Sequence, residues 1–172
     1  LCPEGRQGLT EKREAGCYTE CAPEMVYVSP MKRCVESAGL IFPKAAQQIV
    51  TDFRECSFGE FENKNYLELD GDPRYQAWVD SNGTLPFPGG ESRGEFTNRT
   101  LAAFQETLRH ARACGYTSIA LVVHGGTIMS IMDAFASPKE SFYHWQVKNG
   151  NGFITETENC GAEIQLALRG MV

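Results

Sequence analysis

The junction at residues 118–135, SIALVVHGGTIMSIMDAF, constrains the fold more than any other stretch of this 172-residue chain. Its first part, SIALVV, is rich in apolar and β-branched side chains, which is typical of a strand buried on both faces of a sheet. The pattern that follows the glycines, TIMSIMDAF, is typical of a helix. We therefore predict a strand over residues 118–123 that ends at His124 and passes through Gly125 and Gly126 into a helix.

The same alternation of strand and helix recurs along the chain. Further helices are predicted over residues 3–15, 30–41, 75–79 and 92–114, and further strands over 25–28, 47–51, 152–158 and 162–168. Ser92 and Glu95 have the spacing of a capping box at the start of the longest helix, which Gly115 ends. Strands that alternate with helices predict a single α/β domain over residues 1–172, a three-layer α/β/α sandwich with a mostly parallel sheet.

Charge and composition exclude several classes of function. The net charge of −6 gives no electrostatic basis for binding nucleic acid, and no apolar run reaches the ~20 residues that a membrane span requires. The seven cysteines are odd in number and irregularly spaced, and only Cys17 and Cys21 lie close together in the sequence. We therefore predict reduced thiols, no metal site and a cytoplasmic location.

Two side chains at strand-to-helix junctions are candidates for binding an anion. His124 lies where a predicted strand ends, Gly125 lets a ligand approach the backbone, and the next helix presents free N–H groups. Arg33 lies in the first turn of the helix that follows Ser29 and Pro30, where its planar guanidinium could face the same anion. The alternatives are a capping role for His124 and a plain surface position for Arg33.

Glu55 is the candidate proton donor. It follows a predicted strand and has Phe53, Phe58 and Phe61 nearby in the sequence, and apolar surroundings raise the pKa of a carboxyl group. Other acidic residues crowd the same stretch, so an ordinary solvated carboxylate is the alternative. The chain from residue 52 to residue 90 is otherwise long and irregular, as expected of a segment that covers a functional site.

Four segments, in this order, resemble motifs of the histidine phosphatase superfamily, also called phosphoglycerate-mutase-like. VSPMKRCVESA resembles the family's Ser-Ser-Pro-Leu-x-Arg-Ala-x-x-Thr-Ala, and FRECSFGEFEN resembles its Leu-x-Glu-x-x-Phe-Gly-x-Trp-Glu-Gly. PGGES and VVHGGTI match its Gly-Glu-Ser and Ser-His-Gly-Gly-x-Ile elements. The resemblance covers most of the chain and is closest to small bacterial phosphatases of the α-ribazole phosphatase type.

The resemblance implies a role for each candidate residue. His124 matches the second active-site histidine, which binds the transferred phosphoryl group, and Arg33 matches a phosphate-binding arginine. Glu55 matches the acid that protonates the leaving oxygen, and Ser29 and Gly125 are expected to contact the substrate. The family needs no metal ion or organic cofactor, its partner is a small phosphorylated metabolite, and a homodimer is left open.

The nucleophile of the family is another histidine, in an Arg-His-Gly motif at the end of the first strand. His110 and His144, the other histidines here, have neither a predicted strand before them nor a glycine after them. The opening residues LCPEGR resemble a family segment that comes after the nucleophile. We therefore expect the first strand and the nucleophile to precede Leu1.

Val28, Phe61 and Asn63 are among the positions that depart from the family's pattern. Val28 replaces the first serine of the usual pair, and Phe61 replaces the tryptophan of the second motif. Asn63 replaces the glycine that follows Glu62, and this change is expected to alter the segment that covers the site.

The function implied first is a phosphomonoesterase that works through a phosphohistidine. A mutase is the alternative within the family, but it would have to hold a diphosphate intermediate. Residues 52–90 contain only three basic residues, Arg54, Lys64 and Arg74, among many acids, which favours the phosphatase. A module that binds phosphoesters without catalysis is the alternative outside enzymes.

Overall fold

Helices and short strands alternate along most of the chain in the computed structural model, which describes residues 1–81, 83–160 and 163–172. The described helices are α1 (Pro3–Glu14), α2 (Lys32–Ile41), α3 (Pro73–Asp80), α4 (Arg93–Ala113) and α5 (Gly125–Phe135). The described strands are β1 (Met25–Val28), β2 (Ala46–Ile49), β3 (Ile119–Val122), β4 (Ala136–Ser137), β5 (Phe153–Cys160) and β6 (Glu163–Met171). Short 3₁₀ turns lie at Thr51–Phe53, Gly59–Phe61 and Phe142–Trp145.

The strands form a parallel sheet and a mixed sheet. β1 is the middle strand of the parallel sheet, whose order is β2-β1-β3. Val28 at the end of β1 lies opposite Ile49 of β2 and Val122 of β3, so the carboxyl ends of these strands meet at one edge. The mixed sheet, in the order β4-β6-β5, combines a parallel pair with an antiparallel hairpin. The prediction of a mostly parallel α/β fold is confirmed, although the described strands form two sheets.

Helices cover both faces of the parallel sheet. Val26 of β1 packs with Ala38 of α2 on one face. Tyr27 points to the other face, where its cluster includes Phe104 of α4 and Met132 of α5. This division follows from the period of two along a strand, and it gives the α/β/α layering that the sequence predicts.

The observed boundaries differ from the predicted ones by a few residues. α2 begins at Lys32 because Met31 is still extended. α5 begins at Gly125, two residues before the predicted start, and the prediction missed this turn because glycines contribute nothing to an apolar pattern. The capping box at Ser92 and Glu95 is confirmed. The predicted turn between the last two strands lies partly outside the described residues.

The burial of β3 differs from the prediction. The sequence predicts a strand buried on both faces, but Ile119–Val122 is half-buried along its whole length. Among the described strands β3 pairs only with β1, so its other backbone edge has no strand partner there. An apolar run shows which residues favour burial but does not show how many neighbours a strand acquires.

The structure also shows the state of the described thiols and the length of the described helices. The thiols of the six cysteines with described side chains are free, and the side chain of Cys160 lies outside the described residues. None of the described helices is both long and apolar enough to cross a membrane. Within the described residues, no group of three or more metal-ligating side chains is placed to hold an ion.

Candidate active site

Side chains from the carboxyl ends of the parallel strands meet in a cluster that we call the strand-end cluster, comprising Ser29, Arg33, Glu55 and His124. Ser29 directly follows β1, and His124 lies two residues beyond β3. Glu55 follows β2 after one 3₁₀ turn, and Arg33 lies in the first turn of α2. Parallel strands that end at one edge therefore bring together residues that are far apart in the sequence.

The distances within the strand-end cluster are those of direct contact. Arg33 Nη2 lies 3.0 Å from His124 Nδ1 and 3.7 Å from Glu55 Oε2. His124 Nδ1 lies 3.5 Å from Glu55 Oε2, and its Nε2 lies 2.7 Å from Ser29 Oγ. The predicted convergence of Arg33, Glu55 and His124 is thus observed.

The contacts of His124 favour one tautomer of its neutral imidazole. Arg33 can only donate, so Nδ1 accepts and the ring proton lies on Nε2, which donates to Ser29 Oγ. Burial, and to a smaller extent the charge of Arg33, lowers the pKa of His124 to about 4. At neutral pH the imidazole is therefore uncharged, and its contact with Glu55 is not an ion pair.

Glu55 has the surroundings expected of a proton donor. Burial raises the pKa of its carboxyl group, while the Cys56 N–H at 3.2 Å and the charge of Arg33 oppose that rise. A Cβ atom at Gly126 would lie 3.4 Å from Glu55 Oε1 and 3.3 Å from the ring of Phe96. The glycine therefore lets both the carboxyl group and an apolar ring pack against the start of α5.

The start of α5 is open to a ligand. Gly125 is exposed, and a Cβ atom there would meet no neighbour within 4 Å. The first intrahelical bond runs from Ile128 N to His124 O, which leaves the preceding amide groups of the helix without helical acceptors. His124 is the residue before the helix, but its side chain makes no capping bond. The capping alternative is therefore not observed.

Cys34 is a neighbour of His124 that the sequence did not single out. Its Sγ lies 3.8 Å from Nδ1 and 3.7 Å from Nε2 of the imidazole. Burial is the largest effect on this thiol and raises its pKa. The only sequence signal was that Cys34 occupies the alanine position of the first motif.

A cleft of about 780 Å³ opens beside Arg33 and Glu55. We call residues 54–81 and 83–92 the cleft segment, because most of the wall comes from them. Six aromatic residues line the wall: Phe58, Phe61, Tyr66, Tyr75, Trp78 and Phe87. Several of these rings also pack on each other, as Trp78 does on Phe87 with ring centroids 5.0 Å apart.

The basic residues of the cleft segment are mostly paired with acids. Arg54 contacts Asp52 at 2.8 Å, and Arg74 contacts Asp72 at 2.8 Å. Arg54 also reaches Glu91 at 3.4 Å, and Arg74 also reaches Glu60 at 2.6 Å. Lys64 lines the cleft and has no ion pair among the described residues.

The departures at Asn63, Phe61 and Val28 each have a local structural explanation. Asn63 has a φ of +59°, a conformation that suits glycine and that asparagine tolerates, so the replacement preserves the turn. Phe61 is buried and meets the ring of Tyr75 edge-on. Val28 points to the face of the sheet covered by α2, where an apolar side chain packs.

The other histidines have local roles. His110 Nδ1 lies 2.7 Å from the hydroxyl of Tyr27. His144 is exposed and packs edge-on against Trp145. His124 is thus the histidine of this chain that contacts Arg33 and Glu55.

Several solved structures share the fold of this chain. The chain resembles a putative α-ribazole-5′-P phosphatase from Escherichia coli at 20% identity and a TM-score of 0.71, covering 96% of this chain and 80% of the other. A mycobacterial glucosyl-3-phosphoglycerate phosphatase gives 20% identity and 0.75, covering 98% and 86%. A phosphoglycerate mutase from Thermus thermophilus gives 23% and 0.60, covering 89% and 76%.

A search of curated proteins found no match. A sequence model of the histidine phosphatase superfamily (branch 1), however, matches residues 1–168, which is nearly the whole chain. The motifs, the fold and this match agree, and the chain belongs to the histidine phosphatase superfamily.

Proposed function

We propose that this protein is a phosphomonoesterase that hydrolyses a small phosphorylated metabolite through a phosphohistidine intermediate. The observation that carries the proposal is the strand-end cluster. There an arginine, a neutral histidine and a carboxyl group of raised pKa lie within 3.7 Å of one another beside an open cleft. Members of the family are phosphatases and mutases, and the cluster contains the groups that phosphoryl transfer requires.

The phosphoryl group would bind between Arg33 and the start of α5. The Arg33 side chain is 46% exposed, so its guanidinium can exchange the contact with His124 for phosphoryl oxygens. Guanidinium groups bind such oxygens through paired donors, and the free amide groups of a helix N-terminus favour an anion. His124 would contact the same group, and Ser29 would hold the imidazole in place.

Two displacements complete the reaction. In the first, a histidine nitrogen bonds to phosphorus, the bond to the leaving oxygen breaks, and Glu55 gives that oxygen its proton. In the second, water attacks phosphorus, Glu55 takes a proton from the water, and the phosphorus–nitrogen bond breaks. We expect the nucleophilic histidine in the Arg-His-Gly segment that the family places upstream of Leu1. Splitting the transfer in this way replaces one difficult step with two easier ones.

The charges of the cleft wall favour hydrolysis over a mutase reaction. Arg54 and Arg74 are already paired with acids, which leaves Lys64 as the available cation in the described cleft wall for a second phosphate.

The aromatic wall suits an alcohol that carries a planar ring. α-Ribazole phosphate, whose base is heteroaromatic, is therefore our specific candidate.

The test compares alkyl and aryl phosphates in the Glu55→Gln variant of the complete protein. An aryl oxide leaves without a proton, so Glu55→Gln should lower kcat/KM at least ~100-fold for alkyl esters and far less for aryl esters. Glu20→Gln, at an exposed position, is the matched control. Equal losses on both substrates would mean that Glu55 is not the acid.

A rapid-quench experiment with labelled substrate tests the intermediate. We expect an acid-labile phosphoryl group on histidine in the complete protein. Tight binding of phosphate without any turnover would instead support a non-catalytic phosphoester-binding module. A substrate panel that includes α-ribazole phosphate and phosphoglycerates would test the choice of leaving group.

A further inference from the structure

The PGGES motif, residues 88–92, takes no part in the chemistry described above. We infer that Glu91 of this motif and Arg99 of α4 form a positioning pair that holds the backbone on both sides of Glu55, so that its carboxyl group stays at the leaving oxygen. The inference rests on the proposed role of Glu55 as the acid.

The motif first docks onto the chain that follows Glu55, backbone against backbone. Glu91 N donates to Ser57 O at 2.9 Å, and Glu60 N donates to Pro88 O at 2.9 Å. A Cβ atom at Gly59 would lie 2.1 Å from Pro88 O. One at Gly90 would lie 2.4 Å from Ser57 O. The two glycines therefore permit an approach that no other residue allows.

The carboxylate of Glu91 then joins this docked segment to α4. Its Oε2 accepts from Ser57 N at 3.1 Å and from Arg99 Nη2 at 2.7 Å. Its Oε1 accepts from Arg99 Nε at 2.9 Å. Two parallel bonds between a carboxylate and a guanidinium fix orientation as well as distance. The Arg99 charge and hydrogen bonds lower the pKa of Glu91, which keeps it ionised.

Arg99 holds the other side of Glu55 through backbone carbonyl groups. Its Nη1 donates to Asp52 O at 2.6 Å and to Arg54 O at 3.1 Å. Its Nη2 lies 3.5 Å from the carbonyl oxygen of Glu55 itself. Together with the two bonds to Glu91, these contacts use all five N–H groups of the guanidinium.

A guanidinium with every donor occupied is not available to a substrate phosphate. The Arg99 side chain is only 11% exposed, whereas that of Arg33 is 46% exposed. Arg99 also lies over the ring of Phe96, 5.2 Å from its centroid, and Phe96 packs at Gly126 beside the Glu55 carboxyl group. Its place is therefore behind the acid, where it acts on the reaction through the position of Glu55 and through its charge, which opposes the rise that burial causes in the pKa of that carboxyl group.

The test measures kcat/KM for an alkyl and an aryl phosphate in Arg99→Gln and, as a second variant, Glu91→Gln. We expect the ratio of alkyl to aryl activity to fall ~10-fold in each, because a misplaced acid harms the substrate that needs a proton. Arg99→Lys keeps the positive charge but not the paired donors of the guanidinium. Its alkyl-to-aryl ratio should therefore lie between that of Arg99→Gln and that of the natural protein. Arg109→Gln, which removes an exposed ion pair with Glu106 on the same helix, should leave the ratio unchanged.

The same variants in a Glu55→Gln background separate the possible outcomes. There Arg99→Gln should cause no further change in the ratio, because no acid remains to be positioned. If Glu55→Gln alone leaves the ratio unchanged, the proposed function of Glu55 fails. If Glu55→Gln lowers the ratio but Arg99→Gln and Glu91→Gln lower alkyl and aryl activity equally, the positioning pair is merely structural and the inference is overturned.

Discussion

The strand-end cluster and the cleft segment meet at Glu55, which belongs to both, but the rest of each region is held in place in a different way. Ser29 is fully buried and His124 is 5% exposed, and they lie one and two residues beyond the ends of β1 and β3. The cleft segment consists of turns and one short helix, and Tyr66 and Leu67 within it are each 69% exposed. Its anchoring comes from backbone contacts at two glycines and from the pair of Glu91 and Arg99.

The difference separates two tasks of such a site. Groups that face the transferred phosphoryl group must keep a fixed geometry, and strands of a packed sheet supply it. Groups that face the leaving alcohol can vary, and turns tolerate such variation better than strands do. Substitutions in the cluster should therefore affect chemistry. In the cleft segment, apart from Glu55 and the Glu91 that positions it, substitutions should affect local stability and the choice of substrate.

The largest effect is expected from His124→Ala. Removal of a group that stabilises charge on the transferred phosphoryl group should lower kcat ~100- to 1,000-fold, about 3 kcal/mol or more. Steady-state kinetics of the complete protein checks this on any phosphomonoester. His144→Ala, at an exposed histidine, is the matched control and should retain normal activity. Comparable losses in both variants would show that His124 has no specific role in the reaction.

Gly59→Ala should break the cleft segment while leaving the sheets folded. The new Cβ atom would lie 2.1 Å from Pro88 O at a φ of +55°, so we expect a loss of about 2–3 kcal/mol in the free energy of unfolding. Urea denaturation and limited proteolysis within residues 54–92 measure the effect. Gly71→Ala is the control, since Gly71 has a φ of +81° but no atom near the new Cβ, and it should cost only about 1 kcal/mol.

The burial of His124 predicts a dependence of stability on pH. Its pKa is about 4 in the folded protein and near 6.5 when unfolded, so between these values the unfolded chain binds the additional proton. Stability should therefore decrease on acidification from pH 6.5 to 4, with a contribution of at most about 1.4 kcal/mol per pH unit. Glu55, with its raised pKa, contributes in the opposite direction at the acidic end.

A comparison with His124→Asn isolates the histidine contribution. The slope of unfolding free energy against pH should become shallower in this variant, measured by urea denaturation at several pH values. His144→Asn should keep the slope of the natural protein. An unchanged slope in His124→Asn would show that the imidazole is not buried in its neutral form.

The smallest effect is expected at Asn63. Asn63→Ala should destabilise the protein by about 1 kcal/mol, because alanine disfavours the φ of +59°. Asn63→Gly should stay within about 0.5 kcal/mol of the natural protein, since both residues tolerate this conformation. Urea midpoints measure both changes. Equal effects of alanine and glycine would mean that this turn does not depend on its backbone conformation.

Much of the site could be predicted because it depends on local patterns. The strand at residues 118–123, the junction at His124 and the capping box at Ser92 and Glu95 each follow from residues close together in the sequence. Arg33 and Glu55 were found because they follow predicted strands and match family motifs. Their convergence then follows from the parallel strands, whose carboxyl ends lie at one edge.

The contacts of Arg99 and Cys34 could not be predicted in this way. Arg99 is one of several basic residues on a long helix, and nothing in its neighbourhood indicates that its guanidinium reaches the carbonyl groups of residues 52, 54 and 55. In the sequence, nothing distinguishes Cys34 from an ordinary small apolar residue on a helix face. These carbonyl contacts of Arg99 and the contact of Cys34 with His124 join residues more than 40 positions apart, and local periodicity carries no information about such pairs.

The sequence by itself determined the order of strands and helices, the positions where strands end, and the family to which the motifs point. These features depend on side-chain spacing, glycine and capping residues, which act over a few positions. Only the tertiary structure decided that β3 is half-buried, that His124 is neutral, and that Glu91 and Arg99 lie behind Glu55. Burial, pKa and hydrogen-bond partners depend on which distant segments pack together, and packing is a property of the whole fold.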